Sequence, residues 1–554
     1  MADTVREIER KYEADDDIQL PDLTGVDPVA SVAEQGAEAL DALYYDTADQ
    51  RLAADGITLR RRTGGRDAGW HLKLPVAPGV RDEVRAPLSD TPPAELTALV
   101  RSRVLDRELA PVVRLRTRRT VLVLHDASGA PLAEVAQDEV RAHRAGEAAE
   151  AGREPAEVRW REIEVELAGG GGGGAGLLDE IGRALAAAGA RPSSSASKLA
   201  RALAETGQYP ARPRKGGVEG SGKGAGKGSG KKSKKAAKTA KTAKTAKTAK
   251  TAKTAKTEKG RTAGDVVLRY VREQVRTIVA LDPGVRRDLP DAVHQMRVAT
   301  RRLRSAFRSY TKVLDRAATQ PIGVELKWLA AELGVDRDRE VLTERLHGAL
   351  AEVPRTLRLG PVAARLRIWS QRRRVGARKQ VLAVLDGDRY LSLLKTLDAL
   401  LEAPPLRRAA AGPAPEVVAR AVLKDYRRLA RRVEAALAAP AGQARDEALH
   451  GARKAAKRTR YAAEAARPAL GRPAKKFAKR TKRLQQLLGD HQDSVVARGA
   501  LRELATQAQR AGEGAFTFGL LYGREEALAA DRERELPAVW AKASRPKHRA
   551  ALRP

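Results

Sequence analysis

The chain has 554 residues and a net charge of +35, from 105 Lys+Arg against 70 Asp+Glu, and it contains no cysteine. That length exceeds one ordinary core and predicts several domains; the missing cysteine excludes disulfides, a thiol nucleophile and thiolate-held zinc or iron–sulfur centres. No run approaches the roughly 18 apolar residues of a membrane span and the N-terminus is too charged for a signal peptide, so a cytoplasmic location and no membrane partner are expected.

Residues 1–211 hold 27 Lys+Arg against 36 Asp+Glu, so the basic excess lies elsewhere. This segment alternates with a period of two. Strands are predicted at 57–62, 70–74, 112–124 and 162–167, with helices near 94–104 and 177–188. Glu7, Glu9 and Lys11 share one strand face, as do Arg60 and Arg62, and as do Glu162, Glu164 and Glu166. In the arginine strand, 114, 116 and 118 share a face and Arg119 lies opposite. Lys73 sits between apolar neighbours, whereas His71, His125, His143, His347 and His548 read as ordinary packing or surface residues. Strands that each line one side with both signs of charge suit a closed barrel with a charged interior. Such burial is costly unless the charges pair or bind a ligand. A phosphate chain with divalent cations satisfies both signs, because Arg forks take phosphate oxygens and carboxylates hold Mg²⁺ or Mn²⁺.

The ordered set Glu7-x-Glu9-x-Lys11, Leu-Arg-Arg-Arg at 59–62, Lys73, Glu83, the Arg strand at 114–119, Asp138, Glu164-Val-Glu166 and Ser197-Lys198 resembles the CYTH, or triphosphate tunnel metalloenzyme, superfamily over roughly residues 3–207. The resemblance implies an antiparallel eight-stranded β-barrel tunnel. It implies that Lys11, Arg60, Arg62, Lys73, Arg116, Arg118 and Lys198 hold the triphosphate. Glu7, Glu9, Asp138, Glu164 and Glu166 would hold one or two metal ions, with Glu7, Glu9 and Lys11 at the catalytic centre. Glu162 competes with Glu166 as the partner of Glu164, and Glu83 is either a metal ligand or a group that orients a basic residue. The family spans hydrolases of inorganic triphosphate, thiamine and RNA triphosphatases, and adenylyl cyclases; no base-binding pocket is legible.

Residues 212–261 hold 18 Lys+Arg against 2 Asp+Glu in Gly/Ser/Lys sequence and a Lys-Thr-Ala repeat. Nothing there can bury a core, and a disordered basic linker is expected across 212–262. It is either a solvated spacer or an electrostatic arm on a polyanion, non-specific nucleic acid included.

From 263 to 554, with 60 Lys+Arg against 32 Asp+Glu, Leu and Ala recur at helical spacing and predict an all-α, duplicated helical bundle, with Pro/Gly breaks near 283, 321, 360 and 404–415. His294-x-x-Arg297-x-x-x-Arg301-x-x-Arg304 matches His450-x-x-Arg453-x-x-x-Lys457-x-x-Arg460 at an offset of 156, and Leu333-Gly334 matches Leu488-Gly489 at an offset of 155. Lys327 and Lys482 fall in the same register. Each set of four lies on a stripe about 80° wide. Like charges on one face repel, so an anion is the expected compensation. Asp338 and Asp493 are placed to accept from the two histidines. This half resembles the CHAD family, whose helical domains bind inorganic polyphosphate. The resemblance assigns that role to His294, Arg297, Arg301, Arg304, Lys327, His450, Arg453, Lys457, Arg460 and Lys482.

Together these readings predict an α+β two-domain protein, tunnel at 1–211 and helical bundle at 263–554. The function expected is a metal-dependent triphosphatase on triphosphate or short polyphosphate. A non-catalytic polyphosphate scaffold, or a nucleic-acid protein acting through its lysine arm, is the alternative. Association with polyphosphate granules or the nucleoid follows as a corollary.

Overall fold

The computed structural model describes residues 3–15, 18–145, 157–169, 174–207 and 262–553, leaving the side chains at 175, 335–340, 372–375 and 377 aside. The linker expected at 212–262 lies outside the described residues apart from Thr262, and the chain divides there into two compact units.

The first unit is a barrel. Strands β1 (Asp3–Ala14), β2 (Ser31–Asp46), β3 (Thr58–Thr63), β4 (Gly69–Ala77), β5 (Val80–Ala86), β6 (Ala110–His125), β7 (Pro131–Arg144) and β8 (Val158–Leu167) are antiparallel in the order β5-β4-β3-β2-β6-β7-β8-β1. Pairing of β1 with β5 closes the ring, and a short β9 (Arg191–Pro192) adds to β1.

The barrel is packed inside out. Its charged residues point inward, while the apolar residues of the alternate parity point outward and are covered by helices. Helix α1 is Arg51–Ala54, and α2 (Ala94–Val104) lays the buried Leu96 and Val100 on Leu59, Leu72 and Val84. Helix α3 (Gly174–Ala187) lays Leu178, Ile181 and Leu185 on Tyr12, Ile163 and Val165. Each fully buried aliphatic side chain contributes about 1.5–3 kcal/mol, so the outer face supplies core stability that a charged lumen cannot. At one end the lumen itself turns apolar: Tyr44, Val113, Leu115, Val140 and Trp160 pack on Leu199, Ala202 and Leu203 of α4 (Lys198–Glu205). That plug fixes the first residue of α4, whose N-cap Ser197 accepts from Ala200 N at 3.1 Å.

The second unit is helical: α5 (Ala263–Arg286), α6 (Ala292–Ser309), α7 (Arg316–Glu332), α8 (Gly334–Ala351), α9 (Val362–Asp386), α10 (Asp388–Glu402), α11 (Ala414–Ala438), α12 (Gln443–Ala465), α13 (Arg467–Arg510), α14 (Phe516–Ala543) and α15 (Pro546–Ala550). The breaks expected at 283 and 321 are not breaks, since Pro283 lies within the last turn of α5 and Pro321 within α7, where neighbouring packing outweighs the lost hydrogen bond. The duplicated motif falls on α6 and α12, which pack together; Tyr310 Oη donates to Ala462 O at 2.7 Å beside that contact. The Leu333 break between α7 and α8 corresponds to an unbroken stretch of α13, which instead bends at Gly471, where φ is +59°.

Candidate active site

The barrel encloses a cavity of about 370 Å³, lined by all eight strands β1–β8 and the start of α4. Ten of the expected residues meet there: Glu7, Glu9, Lys11, Arg60, Arg62, Lys73, Glu164, Glu166 and Lys198 line it, and Asp138 stands behind Arg119 and Lys198 at its wall.

Arg116 and Arg118 do not join them. Both point outward and are exposed; Arg116 lies 3.8 Å from Asp41 on the outer surface. The inward parity of β6 is the odd one, and it delivers Arg119. Arg119 Nε and Nη2 donate to Asp138 at 2.7 and 2.6 Å, and Nη2 also reaches Glu164 at 2.7 Å. The register Arg119↔Asp138 in the β6–β7 hairpin places both on one face.

The deep wall is a basic–acidic knot. Lys198 Nζ lies 2.8 Å from Asp138, 2.6 Å from Glu162 and 2.6 Å from Glu164, and Trp160 Nε1 donates to Glu162 at 2.7 Å. Burial opposes a charged lysine there, but Asp138, Glu164 and Glu162 hold its pKa above the usual range. Glu162 belongs to this knot, its carboxylate oxygen within 4.8 Å of those of Glu164 and Asp138.

A second hub is centred on Glu83, which neighbours Lys73 at 3.5 Å, Arg60 at 3.7 Å and Arg85 at 2.5 Å and shares a 3.0 Å hydrogen bond with His71 Nδ1. Burial works against its ionisation, yet the His71 hydrogen bond, Lys73 and Arg60 hold the carboxyl well below the carboxylate range. Glu83 orients cations. His71, expected to be an ordinary packing residue, is part of this hub: it is buried, its Nε2 lies 2.8 Å from Asp67 O, and burial first of all pushes its ring down to about 4.

Two local imbalances remain. Arg62 is buried and Arg60 half-buried, and the Nε of each has no hydrogen-bond partner. Arg62 is pushed down to about 9 by burial and then by Arg60 and Arg119, marking a surplus of cations. Across the lumen, Glu166 makes no ion pair among the described residues and is pushed up to about 7 by burial and then by Glu7. Glu7 is raised too, by burial first, although Lys73 Nζ lies 2.7 Å away. Glu7, Glu9 and Glu166 line the cavity together as a carboxylate surplus. Among the described residues, the carboxylates of this cavity that could hold a metal ion between them are Asp138, Glu162 and Glu164, whose oxygens lie within 4.8 Å of one another beside Lys198 and Arg119.

In the helical unit the expected stripes sit on α6 and α12. Arg297 is buried and its Nε donates to Ala330 O at 3.3 Å. A methyl group on Gly334 would stand 2.5 Å from Arg297 Nη2, so the repeated glycine makes room for the repeated arginine; in the second copy Gly489 faces Arg453 Nε at 3.6 Å. His294, Arg301, Arg304, His450, Lys457 and Arg460 are half-buried, and Lys327 on α7 and Lys482 on α13 are exposed. Asp493 does not serve His450: it faces Arg453 at 3.9 Å, while Gln492 hydrogen-bonds the ring. The side chain of Asp338 lies outside the described residues. Buried His491 sits 3.4 Å from Asp446 and 3.2 Å from Glu533, which Arg498 and Arg445 neutralise, so this cluster ties α12, α13 and α14 together.

A closed antiparallel barrel with cations and carboxylates facing each other across its lumen defines a triphosphate-tunnel fold, here followed by a duplicated helical domain. The CYTH domain family matches residues 5–201 and the CHAD domain family matches residues 269–502. An uncharacterised protein of Mycobacterium tuberculosis is 38% identical over 549 residues, covering 97% of this chain and 96% of its own length. The chain belongs to the family of proteins that join a CYTH domain to a CHAD domain. Among solved structures, PptA from Streptomyces chartreusis is similar at 22% identity and a TM-score of 0.44, over 50% of this chain and 99% of its own. The CHAD domain from the plant Ricinus communis is similar at 26% identity and a TM-score of 0.40, over 51% and 92%. No helix among the described residues is long and apolar enough to cross a membrane.

Proposed function

We propose that the tunnel hydrolyses a phosphoanhydride bond of inorganic triphosphate or short polyphosphate, and that the helical unit binds polyphosphate chains. The observation that carries the tunnel reading is the double imbalance: the Nε atoms of Arg60 and Arg62 have no hydrogen-bond partner and Arg62 is pushed down, while across the lumen Glu166 and Glu7 are both pushed up. A phosphate chain that arrives with Mg²⁺ or Mn²⁺ corrects both at once. A simple anion or a metal alone corrects only one.

Arg60, Arg62, Lys73 and Arg119 bind and align the chain, each oriented by a carboxylate or hydroxyl: Glu83 and Tyr44 for Arg60, Asp67 for Arg62, Glu7 for Lys73 and Asp138 for Arg119. Lys11 lies 2.9 Å from Glu9 and also contacts Glu164, so it bridges the cation-rich and carboxylate-rich sides. Bound by the lumen carboxylates, a divalent cation supplies charge neutralisation of the phosphoryl oxygens and eases attack by water. Water adds to the terminal phosphorus, the bridging P–O bond breaks toward the diphosphate, and the proton of water leaves to solvent. The apolar plug of Tyr44, Leu115 and Trp160 bars water and phosphate from the α4 end of the lumen.

The test is phosphate release from inorganic triphosphate with Mg²⁺ or Mn²⁺, comparing the wild type with Glu7→Gln/Glu9→Gln. Metal-dependent turnover that falls at least about 100-fold in the double variant is expected. The rival reading, a polyphosphate scaffold without turnover, draws on the self-pairing of Lys198 with three carboxylates. It wins if the wild type turns over neither triphosphate nor ATP nor thiamine triphosphate yet still binds polyphosphate. Loss of all polyanion binding on deleting 212–261 would favour the lysine arm acting on nucleic acid.

A further inference from the structure

At the α4 end of the barrel Tyr44, Leu115 and Trp160 pack on Leu199 and Leu203 and fill the lumen. A bound chain therefore extends only toward the opposite end, the mouth. The strand register says what it meets on the way. Across β6, β7 and β8 the inward residues form rows two residues, about 7 Å, apart. Thr117–Val140–Trp160 stands beside the plug. Arg119–Asp138–Glu162 and Val121–Ala136–Glu164 follow, and Val123–Glu134–Glu166 is the row furthest from it. β1 extends the last two rows with Lys11 and Glu9 respectively.

On this wall the cations end before the mouth does. A phosphate in the outermost row would face Val123, Glu134, Glu166 and Glu9, all of which line the cavity, as does Leu40 on the neighbouring β2. Glu134 is exposed and makes no ion pair among the described residues. Arg6, Arg66 and Arg85, which also line the cavity, each face a carboxylate: Asp82 at 2.7 Å, Glu38 at 3.4 Å and Glu83 at 2.5 Å. Even where a divalent cation answers Glu7 and Glu166, the rim keeps Glu134 and the valines.

We propose that Glu134, with Val121 and Val123, is a length filter at the mouth, through which the tunnel accepts a short linear phosphate chain and rejects a long one. The filter rests on the triphosphatase reading and adds to it the residues that set chain length. A phosphoryl oxygen needs donors. Valine offers none, and a carboxylate repels it across a partly enclosed space where screening is weak. A chain that ends with the cations avoids the outermost row, whereas each phosphate beyond them lies against it.

The test is kcat/KM of the full chain, per chain end and with Mg²⁺, for triphosphate and for long-chain polyphosphate. The wild type is expected to favour triphosphate about tenfold or more. Glu134→Arg, at an exposed position, should raise the value for the long chain about tenfold and that for triphosphate by less than about threefold. Glu139→Arg makes the same change of charge on the outer face of β7, beside Arg161, and should leave the ratio of the two substrates as it is. A wild type that degrades both substrates alike overturns the filter, and so does a Glu134→Arg ratio equal to that of the wild type. A wild type that turns over no triphosphate sinks the tunnel reading itself, and the filter with it.

Discussion

The barrel and the helical unit both gather cations, under opposite constraints. In the barrel the charges are enclosed: Lys198 and Arg119 share Asp138 and Glu164, and Lys73 sits on Glu7. Enclosed charges are costly unless paired, so the lumen carries both signs and is completed by a ligand that brings both. On the helices Arg304, Lys327 and Lys482 face or approach solvent, where water tolerates one sign of charge. Such a face takes a polyanion without fixing each phosphate, and salt screens it. On the proposed function, enclosure serves chemistry on a defined group and the open face serves capture of a chain.

Salt separates the two most strongly. Raising it from 50 to 200 mM should weaken polyphosphate binding by the helical unit about 100-fold, as expected for some four phosphate contacts. The KM of the tunnel for triphosphate should move by less than about threefold. Equal salt dependence of both constants would erase the distinction.

Protonation probes the enclosed side through His71. Burial lowers the His71 pKa to about 4 from 6.5. Its folded value lies below its unfolded one, so the associated stability is complete above pH 6.5 and is lost as pH falls toward 4. That loss is at most roughly 3 kcal/mol. In calorimetry from pH 7 to 4, His71→Gln should lose that much less stability than the wild type; identical losses would remove His71 from the Glu83 hub.

A smaller effect probes the helical side. Gly334→Ala drives a methyl group into Arg297 and should weaken polyphosphate binding several-fold with little change in Tm. Gly489→Ala makes only an ordinary contact with Arg453 and should bind within about twofold of wild type. Equal effects at the two glycines would show that the repeats are equivalent after all.

Much of this arrangement was legible in the residues. The alternation of Glu7, Glu9 and Lys11, of Arg60 and Arg62, and of Glu164 and Glu166 marks lumen-facing strands because side chains repeat every two residues. The duplicated stripes were visible as a repeat. The parity of β6 was not, because Arg114-Leu-Arg-Thr-Arg118-Arg119 carries cations on both faces and alternation cannot choose between them. Counting from the turn at Asp126–Gly129 does not settle it either: an irregularity between Leu124 and His125 shifts the register by one, and only with that shift does Arg119 stand opposite Asp138. His71 was passed over although it shares the face of Lys73, because a lone histidine among apolar residues resembles core. The pairing of Gly334 with Arg297 is tertiary, and sequence spacing does not report it.

The central claim is that the lumen, and not the arginine-rich outer face of the same strand, handles phosphate. The most direct measurement is kcat/KM for metal-dependent hydrolysis of triphosphate by Arg119→Ala beside Arg116→Ala/Arg118→Ala. A fall of about 100-fold or more for Arg119→Ala, with the outer-face pair within about twofold of wild type, is the result predicted. A large loss in the outer-face pair with Arg119→Ala unaffected would contradict the inward register and the tunnel chemistry built on it.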